Sequence, residues 1–280
     1  MKILTLNTHS LIEENYENKL REFVKWIIDV QPDVFSLQEV NQSLSSPKLV
    51  ATDNLGYVPC KGEHIRILLD NHALRIAEML KAEGFSYEWT WIPLKIGYDR
   101  FEEGLAIFSK SPIEDTRQFY ISKIKDMKNW KTRKMLGIKT NGMWFYSVHM
   151  GWWDDKEEPF VDQWDRVREE LGEVYNIEET SFIMGDFNCP AQIRGEGYDY
   201  VKESGWLDTW NLAKEKDSGI TVGKIIDGWR ERLEGDIDGM RIDYIWCNRP
   251  VKVLRSWVVF NGKNYSVVSD HYGIEIEVKM

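Results

Sequence analysis

Lys2 to Thr8 reads KILTLNT, an alternation of apolar and polar positions that predicts a strand ending in Asn7-Thr8-His9. Leu20, Phe23, Val24, Ile27 and Ile28 then fall on one face at helical spacing. Pro32 closes that helix, because the residue before a proline resists the helical conformation. Val34 to Leu37 is a short apolar strand that runs out into Gln38-Glu39. The chain thus opens with a strand–helix–strand unit whose strands end in Asn7 and Glu39. Residues 41 to 70 are polar and irregular and are read as a loop, and a helix is expected from about Asn71 to Lys81, capped beyond by Gly84. Strands are predicted over Tyr87–Leu94, Leu105–Phe108, Thr116–Ile121, Met135–Lys139 and Met143–Val148. Asn141-Gly142 joins the last two as a strong hairpin turn.

After His149 come Gly151-Trp152-Trp153 and a helix from about Pro159 to Tyr175, with proline at its first turn. Residues 181 to 187 form a buried strand carrying Asp186, with Asn188 two residues on. If the chain stays extended there, the two side chains point to the same side. Gly185-Asp186-Phe187-Asn188 is weak by itself, since Gly, Asp and Asn also build ordinary turns. Residues 196 to 204 read as helix and 208 to 239 mostly as loop; strands return at Arg241–Trp246, Val251–Val259 and Ile274–Val278. Helices and antiparallel-looking strands interleave with no linker or composition break. The expectation is one domain over residues 1–280, α/β (α+β) in class, with two packed sheets and helices outside.

Composition leaves that picture intact: of 280 residues, 42% are hydrophobic and 29% charged, as in globular chains. No apolar run approaches the roughly 18 residues of a membrane span, and the N-terminus lacks a secretion signal's layout. Cys60, Cys189 and Cys247 show neither pairing nor metal-site spacing, so a cytoplasmic home without membrane contact is expected. Net charge is −10, which makes nucleic acid an unlikely partner, because phosphate neutralisation needs a basic face. The local exception, Lys123, Lys125, Lys128, Lys131, Arg133 and Lys134, reads first as a solvated loop or edge strand and second as an anion-attracting patch. The segment from Asp154 to Glu179 carries eleven acids against Lys156, Arg166 and Arg168, and would repel a polyanion.

Chemistry collects at strand ends. Asn7, Glu39, His149, Asp186, Asn188, Asp243 and Asp270-His271 each follow or interrupt an apolar run: LTLN, FSLQE, FYSVH, IMGDFN, RIDYIW and SVVSDH. Taken singly, each is more often a turn residue or a satisfied polar group. The same arrangement repeated along the chain argues for one shared site.

These motifs resemble the endonuclease/exonuclease/phosphatase superfamily of metal-dependent phosphoesterases. Leu6-Asn7, Gln38-Glu39-Val40, Glu103 through Ser109, Ser147-Val148-His149, Gly185 through Asn188, Arg241 through Ile245 and Ser269-Asp270-His271 occur in the family order and span nearly the whole chain. The resemblance implies a four-layer sandwich, two mainly antiparallel sheets between helices. It also implies that Glu39, with Asn7 and Asp270, would hold Mg²⁺ or Mn²⁺. Asp186 would orient or deprotonate the attacking water, Asn188 would fix the geometry, His271 held by Asp243 would contact the phosphoryl group, and His149 would be a second phosphate-binding histidine. Which group takes which proton stays open.

The family spans nucleases, phosphatases and lipid-cleaving enzymes, so the reaction follows from it and the substrate does not. Charge disfavours DNA. The first 43 residues resemble a bacterial branch of sugar-phosphate phosphatases, which implies a small phosphorylated substrate such as maltose 6′-phosphate. On that reading Tyr98, Arg100, Arg133, Trp152 and Trp153 are candidate substrate contacts, with plain packing or surface the equal alternative for each. A nuclease of the same chemistry and a non-catalytic binding module are the rival readings.

Overall fold

A computed structural model describes residues 1–49, 55–62, 65–223 and 239–279; the parts of the expected loops at 50–54, 63–64 and 224–238 lie outside the described residues. In chain order the elements are β1 (Lys2–Asn7), α1 (Tyr16–Val30), β2 (Val34–Ser43), α2 (His72–Ala82), β3 (Glu88–Gly97), β4 (Phe101–Ser109), β5 (Asp115–Tyr120), β6 (Lys134–Thr140) and β7 (Met143–His149). There follow α3 (Phe160–Leu171), β8 (Ser181–Asp186), α4 (Gly197–Glu203), β9 (Leu207–Asp208), α5 (Thr209–Leu212), β10 (Glu215–Lys216), β11 (Asp243–Cys247), β12 (Lys252–Val259) and β13 (Gly273–Lys279).

The strands form a seven-stranded sheet, β10-β12-β13-β1-β2-β4-β3, and a six-stranded sheet, β5-β6-β7-β8-β11-β9. Pairing is antiparallel except at β1/β2, β7/β8 and β10/β12. Strand periodicity builds the layers. Ile3 and Phe182 face between the sheets, where they meet Val34, Ile107, Leu136, Phe145, Met184 and Ile245. Their neighbours Leu4 and Ile183 face outward, one under Phe23, Ile27 and Leu74 of α1 and α2, the other under Phe160, Trp164 and Val201 of α3 and α4. Each such fully buried side chain contributes roughly 1.5–3 kcal/mol. Four layers result, as the motifs imply. Among the described residues no helix is long and apolar enough to cross a membrane.

Local differences from the sequence reading have local causes. The helix expected to reach Tyr175 stops at Leu171, where Gly172 turns at φ 82°, and Val174–Asn176 forms a separate turn of 3₁₀ helix. β2 continues past Glu39 to Ser43, six residues beyond the expected end. Part of the stretch read as loop after 208 folds as α5 with the short strands β9 and β10. The Asn141-Gly142 hairpin is present, both residues left-handed at φ 49° and 70°.

Two parallel units place the polar strand ends. β1–α1–β2 and β7–α3–β8 each put a helix on the outer face of its own sheet, and the registers set Asn7 beside Gln38 and His149 beside Asp186.

Candidate active site

Strand geometry delivers the polar residues to one rim. Asn7 ends β1, His149 ends β7, Asp186 ends β8, Asp243 begins β11, and His271 lies two residues before β13. Glu39 sits inside β2, where the pairing with β4 slips between Leu37 and Val40, and its backbone is left-handed at φ 51°. Gly185 interrupts β8 at φ 143°; a Cβ there would stand 2.0 Å from the Val148 carbonyl oxygen, so only glycine lets β8 lie this close to β7. His9, Ser10 and Asn188 also have positive φ, a clustering of strained backbone that accompanies functional sites.

The Asp186 carboxylate is the meeting point. The Asn7 carboxamide donates through Nδ2 to Asp186 Oδ2 at 3.1 Å and to Glu39 Oε1 at 2.9 Å. His149 Nε2 lies 3.6 Å and His271 Nε2 3.8 Å from the same Asp186 oxygen. His271 Nδ1 is 3.0 Å from Asp243 Oδ2, and the Ser269 hydroxyl donates to the Asn7 carbonyl, tying the last loop to the first strand. Asp243, Asp186 and His271 are all buried.

Asn188 does not stand beside Asp186 on an extended strand. β8 ends at Asp186, and the Asn188 backbone N–H donates to Asp186 Oδ1 at 2.8 Å. The Asn188 carboxamide donates to the Met150 carbonyl at 2.9 Å. The tetrad is therefore an Asx-type turn that uses the aspartate at the same time. Turn and site are the same object.

Charge in this rim is uneven. Burial pushes the Asp243 carboxyl up to about 6, against the pull of the adjoining His271 ring. Burial also disfavours the charged His271 ring, but the carboxylates of Asp243 and Asp186 outweigh it and raise its pKa well above the usual value. His9, opposed by burial but hydrogen-bonded to Glu13 and facing Glu39 and Asp270, is raised to about 9. Glu103 is held near 2 despite its burial, by Lys95 and then His149.

The rim opens into a cleft of about 240 Å³ lined by His9, Glu39, Lys95, Tyr98, Trp130, Arg133, His149, Trp152, Asp186, Asn188, Asp270 and His271. Of the expected substrate contacts, Tyr98, Arg133 and Trp152 are brought here. Arg100 is exposed and stacks over the Phe101 ring, and Trp153 packs against Phe160 and Tyr200 in the α3/α4 layer. One indole of the pair faces the cleft and the other covers the helices. The basic run is no continuous patch: Lys131 pairs with Asp155 and Glu157, and Arg133 and Lys134 are buried.

The donors suit a hard cation. The Glu39 carboxylate is held by the neutral Asn7 carboxamide, and Asp270 lines the same cleft, an oxygen set whose charge a divalent ion would balance. Two carboxylate–histidine groupings could hold an ion by proximity, His9/Glu13/Asp270 and Asp186/Asp243/His271.

Several partners escaped the sequence reading. Glu13 orders the rim from outside, accepting from the Asp270 backbone N–H at 3.0 Å and pairing with His9 and Lys19. Lys95 lies just beyond the alternating run that ended at Leu94; its Nζ is 3.2 Å from Glu103 Oε1, which is 3.6 Å from His149 Nδ1. Thr221 accepts from the Asp243 N–H, and Trp130 stands against Trp152 with ring centres 5.3 Å apart. His9 had a signal in the sequence, since it follows Asn7 by two residues.

Residues 4–271 match the Endonuclease/Exonuclease/phosphatase family. Among curated proteins there is no match to the chain. Among solved structures, the chain is similar to an endonuclease/exonuclease/phosphatase family protein from Leptotrichia buccalis C-1013-b, with 31% identity, TM-score 0.84 and 100% of both chains covered. It shares its fold with a mannosyl-6-phosphatase from Bacteroides thetaiotaomicron VPI-5482, at 16% identity, TM-score 0.65 and 100% of both chains. It also shares it with truncated TDP2 from Caenorhabditis elegans, at 17% identity, TM-score 0.60, covering 100% of this chain and 97% of the other. The chain belongs to the endonuclease/exonuclease/phosphatase family, whose members are metal-dependent phosphoester hydrolases.

Proposed function

We propose that this protein is a cytoplasmic, single-domain phosphomonoesterase that uses Mg²⁺ or Mn²⁺ to hydrolyse a small phosphorylated metabolite, a sugar phosphate such as maltose 6′-phosphate. The observation that carries the reading is the convergence of Asn7, His149 and His271 on one Asp186 oxygen, at 3.1, 3.6 and 3.8 Å, at the floor of a small cleft. Asp186 orients the attacking water and takes its proton as the new O–P bond forms; the ester P–O bond breaks and the leaving oxygen takes a proton from solvent to depart as the alcohol. Asn188 fixes the turn that aims Asp186. His271 and His149 contact the phosphoryl oxygens; Asp243 sets the His271 tautomer, and the Glu103 carboxylate faces the His149 ring, 3.6 Å from Nδ1. Glu39, Asn7 and Asp270 hold the divalent ion, which when bound neutralises charge developing on the phosphoryl oxygens.

The small cleft, the aromatic wall of Tyr98, Trp130 and Trp152, and the net charge of −10 support a compact substrate over a polyanion. The shared fold with a mannosyl-6-phosphatase and the likeness of the first 43 residues to sugar-phosphate phosphatases point the same way. The three cysteines are buried and none forms a disulfide, in keeping with a reducing compartment. A screen of phosphorylated sugars, nucleotides, inositol phosphates and plasmid DNA with Mg²⁺, reading phosphate release or nicking, tests the reading. Sugar-phosphate turnover far above the rest is expected. Inactivity on every monoester, with salt-sensitive nicking of DNA, would sink it in favour of a nuclease.

A further inference from the structure

We propose that Lys95 and Arg133 form a cationic wall that reads the second negative charge of a phosphomonoester, and so set the site's choice of monoester over diester. The proposal rests on the phosphomonoesterase reading above and assigns its selectivity to two named side chains.

Both residues line the cleft and both are at least nine-tenths buried. Arg133 forms no ion pair in contact among the described residues; the carboxylates of Glu103, Asp186, Glu39 and Asp155 attract it only from beyond contact distance. Its Nη1 donates to the Trp130 carbonyl at 2.7 Å and the Thr132 carbonyl at 3.1 Å, and its buried Nε has no partner. Two backbone carbonyls fix the guanidinium without neutralising it. Lys95 shares the Glu103 carboxylate with His149, at 3.2 and 3.6 Å. The wall thus holds two desolvated cations with one carboxylate, Glu103, in contact with Lys95, while Glu39 and Asp186 line the same cleft without touching either cation. Burial, followed for Lys95 by repulsion from Arg133, lowers the pKa of both. An anion entering the cleft supplies these desolvated cations with a partner in direct contact.

The anion's charge discriminates. A phosphomonoester has a second pKa near 6 and is largely a dianion at neutral pH, whereas a diester carries one charge and has one acceptor oxygen capped. A guanidinium fork and an ammonium group give the extra charge and the extra oxygen paired, charge-assisted partners. The inorganic phosphate product keeps both, so it too is held by this wall.

The test uses the full chain with saturating Mn²⁺ and a matched pair of probes, p-nitrophenyl phosphate and methyl p-nitrophenyl phosphate, which differ by one methyl on phosphorus oxygen. The kcat/KM of each and the inhibition constant of inorganic phosphate are measured for wild type, Lys95→Gln, Arg133→Gln and Arg133→Lys, with circular dichroism as the folding control. Each Gln variant is expected to lower the monoester-to-diester ratio about tenfold or more and to weaken phosphate inhibition similarly, with Arg133→Lys in between. A ratio and an inhibition constant that stay put, whatever the absolute rates, overturn the proposal. Should a Gln variant not fold, Arg133→Lys against wild type decides, since it keeps the charge and removes the fork: about a threefold fall in ratio supports the wall, and no fall overturns it. A wild-type preference for the diester overturns the phosphomonoesterase reading and this proposal with it. A monoester preference that the variants leave intact overturns the proposal alone.

Discussion

The units β1–α1–β2 and β7–α3–β8 share a parallel strand pair and an outer helix, yet they aim their polar ends by different devices. The first relies on a slipped register: β2 bulges between Leu37 and Val40 and turns Glu39 into the cleft. The second relies on close approach and a turn: Gly185 lets β8 sit against β7, and an Asx turn holds Asp186. Their products differ as well. The first unit presents oxygen donors, Asn7 and the half-buried Glu39. The second presents buried groups suited to moving protons, His149 and Asp186, with Asp243 of the same sheet behind His271. The two meet at the Asn7–Asp186 hydrogen bond. On the roles proposed above, the comparison becomes a division of labour, metal on one sheet and proton on the other, and substitutions can break it.

The largest effect is expected from the proton side. Asp186→Ala should lower kcat by about 10³-fold or more, because the group that both orients the water and takes its proton is gone, while Mn²⁺ affinity changes by only a few-fold. Isothermal titration with Mn²⁺ beside the rate assay checks this. Loss of metal binding in step with loss of rate would erase the division.

Glu39→Gln is the converse. Mn²⁺ affinity should weaken by about 100-fold, and activity should return in part at high metal concentration, because the proton-moving groups are intact. Removing the ion from wild type with a chelator should stop turnover without unfolding the chain, since the cores are apolar and contain none of these donors. A melting transition that collapses on chelation would contradict it.

The outer layer of α1 and α2 also holds an acid-sensitive group. His72, at the start of α2, is buried against Tyr16 with Nε2 unpartnered, and burial followed by the Arg75 charge lowers its pKa from 6.5 to about 3. Below 6.5 the unfolded chain binds a proton that the folded chain refuses. The stability of this group is therefore fully present above about 6.5 and is lost progressively as pH falls toward about 3. About 2 kcal/mol should disappear between pH 6.5 and 5. Urea titrations of wild type and His72→Phe at both pH values test the claim, the variant losing less on acidification.

How much of this was legible depends on where each signal lies. Asn7, Glu39, His149, Asp186, Asp243 and His271 could be read because each follows or interrupts an apolar strand run, and the rim of a sheet is where such runs end. The Lys95–Glu103 pair could not be read. These residues face each other only because the β3/β4 register shifts between Pro93 and Lys95, and a one-residue slip reverses the side a residue faces. Glu13 was hidden for another reason. It lies in a polar stretch without periodicity, and its partners His9, Lys19 and the Asp270 N–H come together only through tertiary packing. The Asp186–Asn188 relation differs from the extended-strand expectation because the strand stops at Asp186, before the second residue of the pair.

The smallest predicted effect separates two neighbours that the sequence could not. Trp152 lines the cleft and stands against Trp130, whereas Trp153 packs on Phe160 and Tyr200 between α3 and α4. Removing the indole that faces the substrate should act on binding: Trp152→Ala is expected to raise KM for a sugar phosphate by about tenfold, with the melting temperature nearly unchanged. Removing the other should act on packing: Trp153→Ala is expected to cost about 1 kcal/mol of stability, with KM unchanged. Both substitutions delete the same side chain, so composition and hydropathy cannot explain an opposite outcome; only the direction each ring faces can. If the two variants shift KM and stability alike, then residues 152 and 153 move as one segment, and the aromatic wall is no part of substrate recognition.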